Sequence, residues 1–275
     1  HGYHLIFYPD WLDFYRDDRA ALKQKFGSLE AVASFYGGLG PDTLLEQYRA
    51  DLRRAVNLGA RYVVFHVSDV SLEEGYTYRW LPTNQEVIDA AVEVVNLILG
   101  EERWPFEFLV ENQWWPGFTF TEPEETARLL EGIRFAGKGI LLDTGHLMNA
   151  CTELKTEAEG ADYIRSMLNR HGSLAKWVRG VHLHQSLSGA YVKAHTGSLP
   201  AGLPEDYMER FGVSYQHILQ IDQHRPWTDP AILPVLEQIE PRYLTHELSS
   251  RGRMARAEAV SIRTRLLRQG GRMRV

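Results

Sequence analysis

Six short apolar runs recur along the chain, and the stretches between them carry apolar residues three and four apart instead of two. The runs are YHLIFY (3–8), RYVVFHV (61–67), FEFLVE (106–111), GILLD (139–143), RGVHLH (179–184) and RYLTHE (242–247). They read as strands, and the intervening segments read as helices. The stretch 43–59 places Leu44, Leu45, Tyr48, Leu52, Ala55 and Val56 on one stripe. The stretch 84–100 repeats the pattern and ends on Gly100, suited to a left-handed C-terminal cap. In 121–133, Thr121 and Glu124 have the spacing of a capping box, and Pro123 sits in the first turn. Strands alternating with helices pair in parallel through right-handed crossovers, which leaves a doubly wound sheet or a closed (β/α)8 barrel.

The length of 275 residues is ordinary for one such barrel. No linker or compositional break divides it, so a single domain over 1–275 is expected. The sequence opens at HGYHLIFYPDW without Met and is strand-like within three residues, which reads as the front of a longer chain. One or two βα units ahead of it would bring the strand count to eight. Residues 185–241 are too many for a bare loop and are expected to carry helices such as 205–221. A lid-like insertion around 185–230 is expected there.

Composition narrows the function classes. With 44% hydrophobic and 24% charged residues the chain groups with folded soluble proteins. No apolar run approaches the roughly 20 residues that cross a bilayer. A single cysteine, Cys151, rules out an intrachain disulfide framework, and no secretory signal pattern is present, so a cytoplasmic setting is expected. The net charge of −6 argues against a general nucleic-acid surface. The C-terminal segment 251–275 carries eight Arg, which reads as a solvated helix face.

The strand ends are the informative feature. The runs finish at His66, Glu111, Asp143, His182 with His184, and Glu247. Any one of these alone would be an ordinary loop carboxylate or core imidazole. Parallel barrel strands, however, open their carboxyl ends on one rim, where catalytic groups collect. Glu111, Asp143 and Glu247 would then repel one another in an apolar funnel. A divalent cation removes that conflict, and oxygen donors with imidazoles suit Mn²⁺, Co²⁺, Mg²⁺ or Zn²⁺. His146, one helical turn past Asp143, can point into the same cavity.

The set VVFHVS, FLVEN, LLDTGH, GVHLHQS and LTHEL resembles the xylose isomerase-like TIM barrels, which include sugar-phosphate isomerases and epimerases and the AP-endonuclease family. The resemblance implies a metal held by Glu111, Asp143, His182 and Glu247, with His184 the alternative on the same strand. It implies Lewis-acid polarisation of a carbonyl, proton exchange between Glu111 and Glu247, and a hydrogen bond from His146 to substrate. Trp114 and Trp115 would wall the pocket and stack on a sugar face. His66 and His4 resemble ligands of a second metal.

The DNA-repair branch adds a third site built on Asp-x-His. Matched to VKAHTG, that pattern finds Lys193 where the Asp should be and His195 after it, so the third site is expected to be broken. Lys193 and His195 are then read as contacts for an anionic or polyhydroxy substrate group, and His217 and His224 as locally hydrogen-bonded or solvated, with approach of IDQHRPW to the pocket the alternative. The expected function is a metal-dependent isomerase or epimerase acting on a sugar, sugar phosphate or polyol. A related dehydratase, a metal-dependent phosphodiesterase acting on abasic DNA, and a non-catalytic ligand-binding barrel are the alternatives. A small carbohydrate is the expected partner, and a homo-oligomer is compatible with the sequence.

Overall fold

The computed structural model describes residues 1–249 and 252–269. Its strands are β1 (Gly2–His4), β2 (Tyr62–His66), β3 (Glu107–Glu111), β4 (Lys138–Asp143), β5 (Val178–His182) and β6 (Tyr243–Thr245). They form one parallel sheet in the order β1-β2-β3-β4-β5-β6. Between β1 and β2 lie α1 (Leu12–Tyr15), α2 (Arg19–Phe26), α3 (Leu29–Tyr36) and α4 (Pro41–Asn57). Then come α5 (Leu72–Thr77) and α6 (Asn84–Leu99) before β3, and α7 (Pro123–Gly132) before β4. Next are α8 (Thr144–Asn149) and α9 (Glu157–His171) before β5, then α10 (Gly189–His195), α11 (Tyr207–Ile221) and α12 (Leu233–Ile239) before β6. Helix α13 (Arg253–Gln269) closes the described chain.

Strict alternation along each strand sorts the side chains into two layers. Val63, Phe65, Phe108, Val110, Ile140, Leu142 and Val181 face the helices and join the main core. Tyr62, Val64, Leu109 and Leu141 point the other way and form a separate inner cluster with Tyr243. The sheet is therefore curled, with an inside and an outside. Its curl brings distant strands together: the Tyr62 hydroxyl on β2 lies 3.0 Å from Thr245 Oγ1 on β6. The fold is the curled, parallel α/β arrangement of a TIM barrel, and no helix among the described residues is long and apolar enough to cross a membrane.

Two local expectations need correction. The capping box at Thr121 does not form. Helix α7 starts after Glu122, and the Thr121 hydroxyl instead pairs with Thr119 at 2.7 Å. Capping boxes do occur at Ser71–Glu74, Thr83–Glu86 and Thr156–Glu159. Val56, placed on the buried stripe, lies in the last turn of α4 and is exposed. Of the Arg-rich C-terminal segment, residues 251 and 270–275 lie outside the described residues.

Candidate metal centre

The alternation that builds the inner layer also decides what stands at its end. After Tyr62 and Val64 the next inward position on β2 is His66. After Leu109 it is Glu111, and after Leu141 it is Asp143. Register then sets neighbours side by side, with His66 opposite Glu111 and Asp143 opposite His182. His4 on β1 and Glu247 beyond β6 meet with 3.4 Å between Nε2 and Oε1. Two-residue periodicity thus gathers His4, His66, Glu111, Asp143, His182 and Glu247 on one rim.

The loop after each strand holds these groups in place. The Asn112 side chain accepts from the Asp143 backbone N–H at 2.8 Å and donates to its carbonyl at 3.1 Å, acting as a further rung between β3 and β4. Asp143 Oδ1 accepts from the His146 N–H at 2.7 Å and so caps α8. The Thr144 hydroxyl donates to the His184 carbonyl at 2.6 Å, binding the β4 end to the β5 end. Gly145 is required by space: a Cβ there would sit 2.0 Å from Cε1 of the His184 ring. Each residue of the DTGH stretch has a mechanical duty.

Four groups of ligand-type side chains result, each with its candidate atoms within 4.8 Å of one another. They are His4–His66–Glu111, Glu111–Asp143–His182–Glu247, His4–His182–Glu247 and His146–His184–Asp222–His224. The third overlaps the first two, so three neighbourhoods remain, and Glu111 belongs to two of them. Glu111 is fully buried, with Oε1 3.1 Å from His182 Nδ1 and Oε2 3.1 Å from His66 Nε2. Glu247 borders the cavity, with Oε1 3.4 Å from His182 and Oε2 3.8 Å from His224.

The electrostatics are those of a crowded acid–imidazole cluster. Burial works to raise the Glu111 carboxyl, but the neighbouring His66 and His182 outweigh it and hold it well below the usual range. Burial pushes His66 down to about 4, against the pull of Glu111. His224 is lifted to about 9 despite its burial, because the Asp222 carboxylate lies 2.6 Å from its Nε2. Asp222 in turn is held low by His146 and His224, with burial opposing.

The donor set fits divalent cations. Glu111 Oε2, Asp222 Oδ1 and His184 Nδ1 are buried without a hydrogen-bond partner. Such orphaned lone pairs are costly unless something else takes them up. Carboxylate oxygens and imidazole nitrogens without a thiolate suit Zn²⁺, Mn²⁺, Co²⁺ or Mg²⁺.

Two placements differ from the sequence expectation. Lys193 and His195 lie on the outward side of α10 and do not line the cavity. Lys193 pairs with Glu153 at 2.7 Å, and His195 stacks on Tyr191 at 4.1 Å. The Asp-x-His pattern sought there stands at Asp222 and His224, just past α11. His224 is therefore no solvated bystander: it stacks on His184 at 4.1 Å and adopts φ 48°, a conformation costly for a non-glycine residue. The signal that could have found the pair was the spacing itself, in IDQH. His182 and His184 both enter the cluster, in different neighbourhoods, so both are candidate ligands.

Above this floor lies a cavity of about 470 Å³ bordered by His4, His66, His146, Asp222, His224 and Glu247. Trp114 and Trp115 stand in its wall as expected, with ring centroids 4.2 Å apart. His217 also lines it, held by the Tyr191 hydroxyl and the Gly75 carbonyl.

The family described as xylose isomerase-like TIM barrel matches residues 1–240. Among solved structures, a D-tagatose 3-epimerase-like protein is 16% identical with a TM-score of 0.48, covering 82% of this chain and 69% of that one. Endonuclease IV from Thermus thermophilus is 16% identical with a TM-score of 0.44, covering 98% of both chains. IolI protein with a binding zinc atom is 13% identical with a TM-score of 0.42, covering 83% of this chain and 69% of that one. No curated protein matches the sequence.

Proposed function

Because the chain belongs to the family of xylose isomerase-like TIM barrels, we propose that it is a metal-dependent enzyme, and that its reaction is hydrolysis of a phosphate ester of a small molecule. The observation that carries this reading is the cavity floor, which takes residues from all three metal-ligand neighbourhoods at once. A phosphoryl group has several oxygens to share among such neighbours.

Charge supports the same choice. The neighbourhoods contain four carboxylates, Glu111, Asp143, Asp222 and Glu247, so three dications would leave an excess of two positive charges for an anion. That excess also explains why no Lys or Arg among the described residues lines the cavity. The absence of cationic side chains from this concave site favours a small ester over a DNA backbone, which needs phosphate contacts along its length.

Divalent ions in these positions would supply Lewis-acid stabilisation of charge on phosphoryl oxygens and make water more acidic. The chain's own residues do the rest. Glu111, sealed from the cavity, bonds His182 through Oε1 and faces His66 with Oε2. Glu247 borders the cavity and contacts His4, His182 and His224, so its carboxylate is placed to take a proton from the attacking water. Asp222 orients His224 and faces His146 Nε2 at 3.5 Å. On this reading the whole chain is one domain, and α11 supplies the cavity's outer wall.

The test is hydrolysis of simple mono- and diesters by metal-loaded protein, followed as phosphate released from a monoester or as alcohol released from a diester. Hydrolysis that requires divalent metal and is abolished in Glu247→Gln supports the reading. No release from any ester would contradict it. A second reading, isomerisation or epimerisation of a carbohydrate, is favoured by the same Glu247 beside His182. It predicts wash-in of deuterium from solvent at a substrate carbon, without phosphate release.

A further inference from the structure

The walls of the cavity differ in kind from its floor. Phe7, Val70, Tyr76, Trp114, Trp115 and Ile218 line it beside the histidines and carboxylates, and three of the polar side chains there, Ser71, Gln113 and His217, are already engaged. The Ser71 hydroxyl is bonded to Glu74 at 2.6 Å, and His217 has both ring nitrogens paired. Gln113 contacts His146 Nδ1 at 3.0 Å. A polyhydroxylated ligand would bring hydroxyl groups into this space with few partners, and each buried hydroxyl left unpaired is costly.

Three buried polar atoms in the wall are without a hydrogen-bond partner: the indole N–H groups of Trp114 and Trp115 and the Ser214 hydroxyl. All three residues line the cavity. A largely apolar, aromatic surface with a few isolated donors is the complement of a flat ring bearing an acceptor atom. The aromatic surface starts close to the floor, since the Trp114 ring lies 5.2 Å from the His146 ring, and Trp115 continues it at a tilt of 39°. A ring attached directly to the ester oxygen reaches this surface without a spacer.

We propose that the organic part of the substrate is a one- or two-ring aromatic or heteroaromatic group carrying a hydrogen-bond acceptor, seated against Trp114 and Trp115 and bonded through the Trp115 N–H or Ser214. This rests on the phosphate-ester reading for the end that meets the floor. The ring specificity rests on the wall alone.

The two are separated by calorimetric titration of the full chain with naphthyl phosphonate, quinolinyl phosphonate, methyl phosphonate, a sugar phosphate and uncharged 2-naphthol. Naphthyl phosphonate is expected to bind at least about tenfold tighter than methyl phosphonate or the sugar phosphate. 2-Naphthol is expected to bind measurably, and Trp115→Ala to weaken both aromatic ligands by about tenfold. Quinolinyl should exceed naphthyl in the wild type, and that margin should shrink in Trp115→Phe and Ser214→Ala, which keep the wall filled.

A sugar phosphate binding as tightly as the naphthyl compound would overturn the proposal. So would aromatic binding indifferent to all three substitutions. Aromatic ligands that bind as expected, with no phosphate released from their esters, would leave the wall assignment standing and remove the hydrolytic one. Equal hydrolysis of methyl and aryl esters, with no aromatic preference in binding, would do the reverse.

Discussion

At the scale of single residues, the centre depends on groups that touch no ligand. Gly145 is the clearest, because its Cα hydrogen faces the His184 ring. Gly145→Ala must displace that imidazole, at an overpacking cost of about 1–3 kcal/mol. Denaturant unfolding of metal-free protein checks this, and an unchanged midpoint would contradict it. Asn112→Ala removes both bonds to the Asp143 backbone and leaves its N–H buried without a partner, so a loss of about 1–3 kcal/mol is expected in the same measurement. The sequence exposes such residues unevenly. Glu111 and Asp143 announce themselves because an ionised group at the end of an apolar run is costly. Asp222 and His224 sit past a helix in a polar stretch, where that cost leaves no mark, and a helical Lys-x-His nearby drew the match instead.

At the scale of elements, strands and long helices were legible for the same reason: one face of each is buried, so the periodicity is enforced by the core. All six strand runs stand where the alternation placed them, though β1 and β6 are shorter than their apolar runs. The short helices α1, α2, α3 and α5 pack with too few turns to show a period, and the Thr121 cap failed because its hydroxyl found Thr119. A buried histidine links two elements and carries a pH signature. His171 at the end of α9 stacks on Phe120 at 3.9 Å and contacts Thr126 of α7 at 2.9 Å. Burial lowers its pKa below the ordinary value, against the Met167 carbonyl, which favours the proton. The unfolded chain therefore takes up this proton at higher pH than the folded one. The stabilisation is complete above about pH 6.5 and is lost as pH falls through the lower, folded value. His171→Gln is expected to flatten the acid side of the metal-free Tm profile, and parallel profiles for variant and wild type would contradict this.

At the scale of the whole molecule, curling is what turns sequence-distant groups into neighbours. His4 and Glu247 are near opposite ends of the chain and stand in contact only because β6 comes round to β1 and β2. The alternation of strands and helices implies a parallel sheet but leaves its closure open; closure was legible only through the carboxylates and imidazoles at the strand ends and the family resemblance they carry. A cluster of this density should be destabilised when its cations are removed, so chelation is expected to lower Tm and divalent metal to restore it. The central claim is that the three neighbourhoods, two of them joined through Glu111, each hold a divalent ion. Its most direct measurement is the metal content per chain, by elemental analysis of wild type, Asp222→Ala and Asp143→Ala after equilibration with Zn²⁺ or Mn²⁺. Three ions per chain are expected in the wild type, with one lost in Asp222→Ala and a loss also in Asp143→Ala. A wild-type content below three, or a content unmoved by both substitutions, would contradict this.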